Sequence, residues 1–387
     1  IFSYIYFILI YIYMRKTLKS HQKSYKKNKT RKRKDKKDFI TIHSDFESGN
    51  IKVVSLNKKK NSYDIQLKIE EEPYIRHTWP KGLKYQNWFY FRANHVKDIH
   101  CQFTINNLQH YNNIWKGYKV SFSYDNKTWE RLHTKIVRKN MVWNIKPTHN
   151  TIWFAYYPPY PNSELKKLVP GASIVGRSNN NLPIYLKKYG HGPTKVWAIS
   201  GQHPGETINS WILEGFIKRM LERKKELFNK YTFYIIPSAN PDGNNLGYWY
   251  VNADGITMNR EWTKKLSKSP EVRAIKTQLE KHGHDLVFDI HGDEGSMKHF
   301  LVHSSRKHPD FDIINKLINK KIKNFQLPNF YGPNYLNDDT RDTLDYLTNG
   351  ITVEGALKHK SNKLKTIQQE PLDIGAKFID VLEILTH

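Results

Sequence analysis

The segment TKVWAISGQHPGETINSW, residues 194–211, joins an apolar run to a polar turn and to the start of an amphipathic pattern. The run TKVWAIS is short and apolar, as expected of a strand that is buried on both faces. Beyond the turn, apolar residues recur at helical spacing from Ile212 to Leu221, which predicts a helix that begins near Thr207. A buried strand followed directly by a helix is the repeating unit of an α/β domain.

The chain downstream repeats this alternation. Four more apolar runs predict strands: YTFYIIPS (231–238), HDLVFDIHG (284–292), HFLVHSS (299–305) and NGITVEGAL (349–357). One helix is delimited by Ser269 as its N-cap, Pro270 in its first turn and Gly283 after its end. Another amphipathic helix closes the chain at residues 371–387. We therefore predict an α/β domain over residues 162–387.

Upstream, from Phe39 to Pro161, the hydrophobic period changes to two. The clearest case is YKVSFSYDNKTWERL (118–132), where apolar residues alternate with polar ones up to a turn at Asp125-Asn126. This pattern predicts a half-buried strand and a hairpin. The prolines of YYPPYP (156–161) end the last strand. We predict a small all-β sandwich domain over residues 39–161.

Residues 1–38 differ from both predicted domains. Residues 15–37 contain thirteen Lys or Arg and one Asp, so they supply 12 of the 27 net positive charges of the 387-residue chain. Such a run predicts a disordered basic tail, with a nuclear-import or phosphate-binding segment as the alternative. The apolar residues 1–13 are too few to span a membrane. We expect them to be translated sequence upstream of a start at Met14, and the alternative is an N-terminal anchor; stable membrane insertion is not expected.

Cys101 is the single cysteine of the chain. It excludes an intramolecular disulfide and a cysteine zinc cage, and it favours a reducing compartment. We therefore expect a cytoplasmic protein, with the nucleus accessible through the basic tail.

The polar turn after residue 200 carries His203 and Glu206, three residues apart. The carboxyl end of a strand in an open α/β sheet is where ligands bind. Imidazole and carboxylate are both zinc ligands, and a catalytic zinc takes three protein ligands. His291, at the end of another predicted strand, is the best third candidate, and three acids near it can orient an imidazole: Asp289, Asp293 and Glu294. The alternative is a polar loop without metal.

Two further motifs suit a hydrolytic site. Asn259 and Arg260, in MNREW, could bind a carboxylate with several donors. Glu354 lies on a predicted buried strand, where an acid is costly unless it is paired or functional; it could act as a general acid/base. The alternatives are a structural ion pair for Arg260 and a solvent-facing strand edge for Glu354.

These motifs follow one another in a defined order. The order is His203-x-x-Glu206, NPDG (240–243), MNREW (258–262), DIHGDE (289–294) and Glu354. As a set they resemble the M14-type zinc metallocarboxypeptidases, and most closely the cytosolic carboxypeptidase branch. That branch also has an N-terminal β-sandwich, and three stretches look like its signatures: SDFESGNIKVV (44–54), NWFYFRA (87–93) and IWFAYYPPYP (152–161).

The resemblance implies a three-layer α/β/α domain with a mixed sheet. It also implies one Zn²⁺ ion bound by His203, Glu206 and His291, a substrate carboxylate bound by Asn259 and Arg260, and Glu354 as general acid/base. The implied reaction is hydrolysis of the last peptide bond by a zinc-activated water. The implied partners are peptide or protein C-terminal tails, in particular glutamates of acidic or polyglutamylated tails; no nucleic acid is required.

One position departs from the family pattern. Tyr250 stands where the family has an Arg that polarises the scissile carbonyl. A phenol brings no positive charge, so activity is expected to be reduced unless Arg341 or a Lys substitutes. The family also uses a Tyr near the substrate, and the candidates are Tyr331, Tyr335 and Tyr346. Tyr250 therefore leaves open a catalytically weakened protein that binds acidic C-terminal tails; a zinc deacylase is a third reading.

Overall fold

The computed structural model describes residues 39–73, 86–109, 114–303, 308–322, 349–358 and 366–385, together with Phe325, Thr343, Tyr346 and Leu347. The predictions for residues 1–38 lie outside this set. The described residues from Ile40 onward pack together as one unit, and the predicted boundary between residues 161 and 162 stays a prediction. Among the described residues, no helix has the length and apolar character needed to cross a bilayer.

The first half of the described chain is all β, in two five-stranded sheets. Its strands are β1 Thr41–His43, β2 Lys52–Lys58, β3 Ser62–Lys68, β4 Tyr90–Asn94, β5 His100–Ile105, β6 Val120–Ser123, β7 Glu130–Leu132, β8 Lys135–Val137, β9 Asn140–Ile145 and β10 Thr151–Ala155. One sheet has the order β1-β4-β10-β6-β7 and is antiparallel; the other has the order β2-β3-β5-β9-β8, with β3 and β5 parallel. We call these ten strands the β-sandwich.

An aromatic core joins the two sheets of the β-sandwich. The rings of Phe103 and Trp143 stack with centroids 5.4 Å apart, and Phe154, from the other sheet, lies 4.8 Å from Phe103. All three side chains are fully buried. Burial of several large rings on alternating strand positions is the dominant favourable term for such a domain.

The hairpin predicted at residues 118–132 is confirmed, since β6 pairs with β7 antiparallel and Asn126 takes a left-handed backbone with φ 59°. The predicted half-buried character of its first strand is wrong. Ser121 and Ser123 are fully buried, whereas Phe122 between them is partly exposed. The serines tolerate burial because their hydroxyls are bonded, Ser121 Oγ to a backbone carbonyl 3.3 Å away.

The second half contains a seven-stranded mixed sheet with helices. Its strands are β11 Ser173–Arg177, β12 Pro183–Gly190, β13 Thr194–Ser200, β14 Tyr231–Ile236, β15 Leu286–Asp293, β16 Phe300–His303 and β17 Gly350–Ala356. Its described helices are α1 Asn162–Leu168, α2 Ile208–Glu222, α3 Lys224–Leu227, α4 Pro241–Leu246, α5 Pro270–His282, α6 Phe311–Lys321 and α7 Gln369–Ile384, with a 3₁₀ turn at Met258–Arg260.

The sheet order is β11-β12-β14-β13-β15-β17-β16. The four central strands are mutually parallel, and antiparallel strands flank them on both sides. All five strands predicted downstream of residue 162 are present. The edge hairpin β11–β12 was not predicted, because its strands are half-exposed and lack a long continuous apolar run.

Helices cover both faces of this sheet. On one face, α2 and α7 pack so closely that a Cβ on Gly375 would lie 1.9 Å from the carbonyl oxygen of Ile212. On the other face, Val272 and Ile275 of α5 pack with Trp197 of the sheet. As predicted, Ser269 caps α5, and its hydroxyl accepts the amide of Val272 at 3.2 Å. The predicted α/β/α domain after an all-β sandwich is confirmed.

The segment 194–211 is central to this architecture. Strand β13 pairs in parallel with β14 and β15, and it ends at Ser200. Gly201, with φ 77°, adopts the left-handed backbone that turns the chain away from the sheet. Because β13, β15 and β17 are parallel, their carboxyl ends lie at the same edge. Residues that follow these three strands are therefore brought together.

Candidate metal centre

His203, Glu206 and His291 converge at the carboxyl edge of the sheet. His203 and Glu206 lie between β13 and α2, and His291 lies near the end of β15. One ligand atom from each lies within 4.8 Å of the others, and all three residues are buried. The structure thus brings together the three side chains that the sequence indicated as metal ligands.

Both imidazoles face the same carboxylate. Nδ1 of His203 lies 2.8 Å from Oε1 of Glu206, and Nδ1 of His291 lies 3.1 Å from Oε2. The amide of Gly292 also donates to Oε2, at 2.9 Å. Burial alone would raise the pKa of Glu206, but the charges and hydrogen bonds of the two histidines outweigh it and lower that pKa. The carboxylate is therefore held as an anion between two ring nitrogens.

The turn His203–Glu206, which we call the metal loop, is shaped by a glycine. The amide of Gly205 donates to the carbonyl of Trp249 at 3.0 Å. A Cβ on Gly205 would lie 2.5 Å from the Trp249 ring and 2.7 Å from its Cα. Only glycine allows this approach, and the approach fixes the two ligating side chains on either side of it.

Asp289 orients His291. Its Oδ2 lies 3.2 Å from Nε2 of His291, so the imidazole can present Nδ1 to a ligand. Gln202 donates to both oxygens of Asp289, at 2.8 and 2.9 Å, and accepts from the indole of Trp262 at 2.7 Å. Burial would lower the pKa of His291, yet Asp289 and Glu206 raise it well above its usual value. Of the three acids near His291, Asp289 is the one paired with its ring.

Glu354 lies beside His291 on the neighbouring parallel strand, because β15 and β17 pair these two residues in register. Alternate residues of a strand share a face, so both side chains project on the side that carries Asp289. Glu354 keeps some exposed surface. Burial of its carboxyl group nevertheless raises its pKa well above the usual value; the charge of His291 lowers it, and the nearby carboxylates add to the increase. An acid in this position suits proton transfer.

Asn259 and Arg260 belong to the 3₁₀ turn after α4 and are partly buried. Asn259 Oδ1 and Arg260 Nη1 have no hydrogen-bond partner among the described residues. Buried polar atoms of this kind are costly unless a ligand or water satisfies them. The Tyr250 ring stacks on His203 with centroids 4.0 Å apart. Burial raises the pKa of the Tyr250 phenol, and the positive charge of Arg260 opposes this increase. Tyr250 thus borders His203, and Arg260 lies close enough to Tyr250 to influence it.

The sequence also offered three tyrosines as substrate contacts and Arg341 as a substitute for the missing Arg, and the structure describes only one of these four residues. Tyr346 is described, and its hydroxyl donates to Glu280 on α5 at 3.0 Å, while Lys276 lies over its ring. Tyr331, Tyr335 and Arg341 lie outside the described residues.

The donor set fits a zinc ion. Two imidazole nitrogens and one carboxylate are the ligand types that zinc prefers in catalytic sites. Both nitrogens that face Glu206 are Nδ1, and the opposite nitrogen of His291 is held by Asp289. His203 Nε2 is buried without a partner among the described residues.

Comparison with known proteins agrees with this geometry. A family model described as zinc carboxypeptidase, Peptidase M14, matches residues 162–365, more than half of the chain. The chain belongs to the M14 zinc carboxypeptidase family. A second model, the cytosolic carboxypeptidase N-terminal domain, matches residues 42–157, so the M14 domain follows the N-terminal domain of the cytosolic branch.

Individual M14 carboxypeptidases and related chains support the assignment. The metallo-carboxypeptidase of Burkholderia cenocepacia superposes with a TM-score of 0.78 at 26% identity, covering 89% of this chain and 98% of that one. An uncharacterized protein of Zymomonas mobilis is 28% identical over 74% of this chain and 76% of its own length. Cytosolic carboxypeptidase 3 of Bos taurus is 25% identical over 66% of this chain. This chain spans 29% of the bovine protein's length.

Two side chains near the M14 metal centre were missed by the sequence reading. Gln202 lies next to His203 in the segment 194–211, but a lone Gln carries no signal for binding an acid of another strand. Glu72, in the segment after β3, accepts the backbone amides of Trp249, Tyr250 and Val251. It is separated from Trp249 by 177 residues, so no local pattern could have indicated this contact.

Proposed function

We propose that this protein is a zinc-dependent carboxypeptidase that hydrolyses the last peptide bond of peptide or protein tails. The observation that carries the proposal is the convergence of His203, Glu206 and His291 beside Glu354. Membership of the M14 family supports the reaction class, and the fold alone would not, because one fold can host many functions.

The metal ligands in this proposal are His203, Glu206 and His291, for one zinc ion. A zinc ion bound there would supply a Lewis acid next to the scissile carbonyl. Asp289 keeps Nε2 of His291 occupied, so that Nδ1 stays directed at the ion. Burial of the three ligands excludes bulk water, which strengthens electrostatic interactions in the site.

Glu354 moves the proton. Its carboxylate accepts a proton from the attacking water and returns it to the nitrogen of the departing residue. Its register with His291 supports this role, because it places the acid beside a metal ligand and on the same face of the sheet. No other described acid lies opposite His291 on a neighbouring strand.

Asn259 and Arg260 bind the terminal carboxylate of the substrate. The planar guanidinium of Arg260 can donate two parallel hydrogen bonds to a carboxylate. The missing partner of Arg260 Nη1 among the described residues supports a carboxylate at this position, to which Asn259 can donate only through Nδ2. Tyr250, which stacks on His203, contributes at most one phenolic hydrogen bond to the reacting carbonyl.

Acidic tails, and glutamate tails in particular, are the substrates that we propose. The chain has 63 Lys or Arg and 36 Asp or Glu, and outside residues 15–37 it still has 50 and 35. A positive field increases the rate of encounter with acidic chains. The name of the bovine relative, a cytosolic carboxypeptidase, supports a cytoplasmic location, as does the free, buried Cys101. Nuclear import through the basic tail stays a prediction.

The test is C-terminal trimming of matched peptides that end in Glu, Lys or Ala runs, followed by mass spectrometry with and without a zinc chelator. We expect chelator-sensitive loss of C-terminal residues, fastest from the Glu peptides. Equal or faster trimming of the Lys peptides would contradict the acidic preference alone. No trimming of any peptide at high protein concentration, together with retained binding of Glu-ended tails, would favour the tail-binding alternative that Tyr250 raises.

A further inference from the structure

We propose that Glu72, a residue of the β-sandwich half, is a positioning residue of the metal centre. Through its carboxylate it holds the segment Trp249–Val251, which we call the Tyr250 segment, against the metal loop. The inference rests on the metal centre of the proposed function. It assigns to the N-terminal half of the chain a part in shaping that centre through the Tyr250 segment.

Three consecutive amides converge on one oxygen of Glu72. Oε2 accepts the N–H of Trp249 at 3.1 Å, of Tyr250 at 2.9 Å and of Val251 at 3.4 Å. Successive N–H groups that point to one place form a concavity that binds an acceptor oxygen. Glu72 is partly exposed as a residue, but its other oxygen, Oε1, is buried.

The opposite side of the Tyr250 segment rests on the metal loop. The carbonyl of Trp249 accepts the amide of Gly205 at 3.0 Å, and the ring of Tyr250 stacks on His203. The carbonyl of Val251 accepts the side-chain amide of Asn240 at 3.1 Å. The segment is therefore held between Glu72 on one side and the residues around His203 on the other.

Removal of the Glu72 carboxylate would leave three adjacent amides without an acceptor. Unsatisfied buried amides are costly, so the backbone would shift to find water or another acceptor. A shift of this segment moves the Tyr250 ring away from His203. It also breaks the hydrogen bond from the Gly205 amide to the Trp249 carbonyl, which loosens the metal loop. Glu72 does not contact the three ligands, so its effect on the metal is exerted entirely through the segment.

The test compares Glu72→Ala, Glu72→Gln and Glu72→Asp in the full chain. Gln keeps an acceptor oxygen at the same distance, whereas Asp keeps the carboxyl group on a side chain one methylene shorter. The matched control is Ser48→Ala, because Ser48 Oγ bonds Asn244 Oδ1 at 3.1 Å between the same two halves of the chain without touching the three amides. One readout is hydrogen–deuterium exchange of residues 249–251 in metal-free protein. The other is the zinc dissociation constant, measured by chelator competition.

We expect Glu72→Ala to accelerate exchange of these amides at least tenfold and to weaken zinc binding about tenfold, at the lower end of the effect of removing a residue that supports a metal ligand. Glu72→Gln and Ser48→Ala should stay near wild type, and Glu72→Asp should exchange faster than Glu72→Gln. Wild-type exchange and zinc affinity in Glu72→Ala would overturn the inference. If that variant does not fold, wild-type exchange in Glu72→Asp would overturn it. Absence of zinc binding by the wild type would contradict the proposed function instead, and the exchange readout would still decide on Glu72.

Discussion

The phenol ring of Tyr250 stacks on the imidazole of His203, with centroids 4.0 Å apart and planes inclined by 29°. The residue whose type departs from the family pattern is therefore in direct contact with a proposed metal ligand. Burial raises the pKa of the same phenol, and the positive charge of Arg260 opposes this increase. The resemblance led us to expect a cationic donor for the reacting carbonyl at this position, and the structure has an aromatic ring there.

Tyr250→Arg should increase the rate on Glu-ended peptides by about 10- to 100-fold at saturating zinc, because it restores a cationic hydrogen-bond donor; loss of one such donor typically costs about 100- to 1000-fold. Tyr250→Phe, which removes only the hydroxyl, is the matched control and should be slower than wild type. The measurement is kcat/KM. Identical values for all three proteins would show that position 250 does not face the reacting carbonyl.

Glu354→Gln should lower kcat by about 100- to 10,000-fold, the usual contribution of a general acid/base. Zinc content should stay at the wild-type level, since Glu354 is not one of the three ligands. Glu222→Gln, at an exposed position of α2, controls for loss of a glutamate elsewhere. Wild-type kcat in Glu354→Gln would remove Glu354 from the mechanism.

Zinc should raise the melting temperature of the wild-type protein, because a ligand that binds only the folded state stabilises it by about 2.7 kcal/mol at one hundred times its Kd. His291→Ala should lose both bound zinc and this stabilisation. His149→Ala, at an exposed position of the β-sandwich half, should keep both. Thermal denaturation and metal analysis measure the effect, and equal zinc content in the two variants would contradict the ligand assignment.

Gly205→Ala should destabilise the fold by about 1–3 kcal/mol, as overpacking of a closely packed site does. The new Cβ would lie 2.7 Å from the backbone Cα of Trp249, which cannot move as a flexible side chain could. Zinc affinity should fall with stability, because the displaced loop carries two ligands. In Gly295→Ala the nearest neighbour, Oδ1 of Asp293, is 3.4 Å away, so this control should unfold near the wild-type midpoint.

Glu72 should make stability depend on pH. Burial raises its pKa to about 8 from a usual value of 4.5, although three backbone amides oppose this effect. Between these values the folded chain holds a proton that the unfolded chain has released, so its contribution to stability is full below pH 4.5 and is lost as the pH rises to 8. Glu72→Gln cannot titrate, and its free energy of unfolding relative to wild type should therefore increase from pH 5 to pH 8. Denaturant titrations at both values measure it; a constant difference would contradict the raised pKa.

Local patterns predicted the elements of this protein because burial repeats within a few residues. The run TKVWAIS became β13 with the predicted bounds, and the cap at Ser269 starts α5 as expected. The site residues were also recognisable, since polar residues that follow parallel buried strands are carried to one edge of the sheet. His203, Glu206 and His291 converge for that reason.

Other features depended on register and packing between residues far apart in the chain. The pairing of His291 with Glu354, and the choice of Asp289 over Asp293 and Glu294 as the acid on the His291 ring, follow from how the strands align. The sequence by itself determined the strands β13 to β17, the helices α2, α5 and α7, and the identity of the candidate ligands. Only the tertiary structure decided that Glu72 supports the Tyr250 segment, because the hydrogen bonds between them span 177 to 179 residues and leave no periodic trace in the chain.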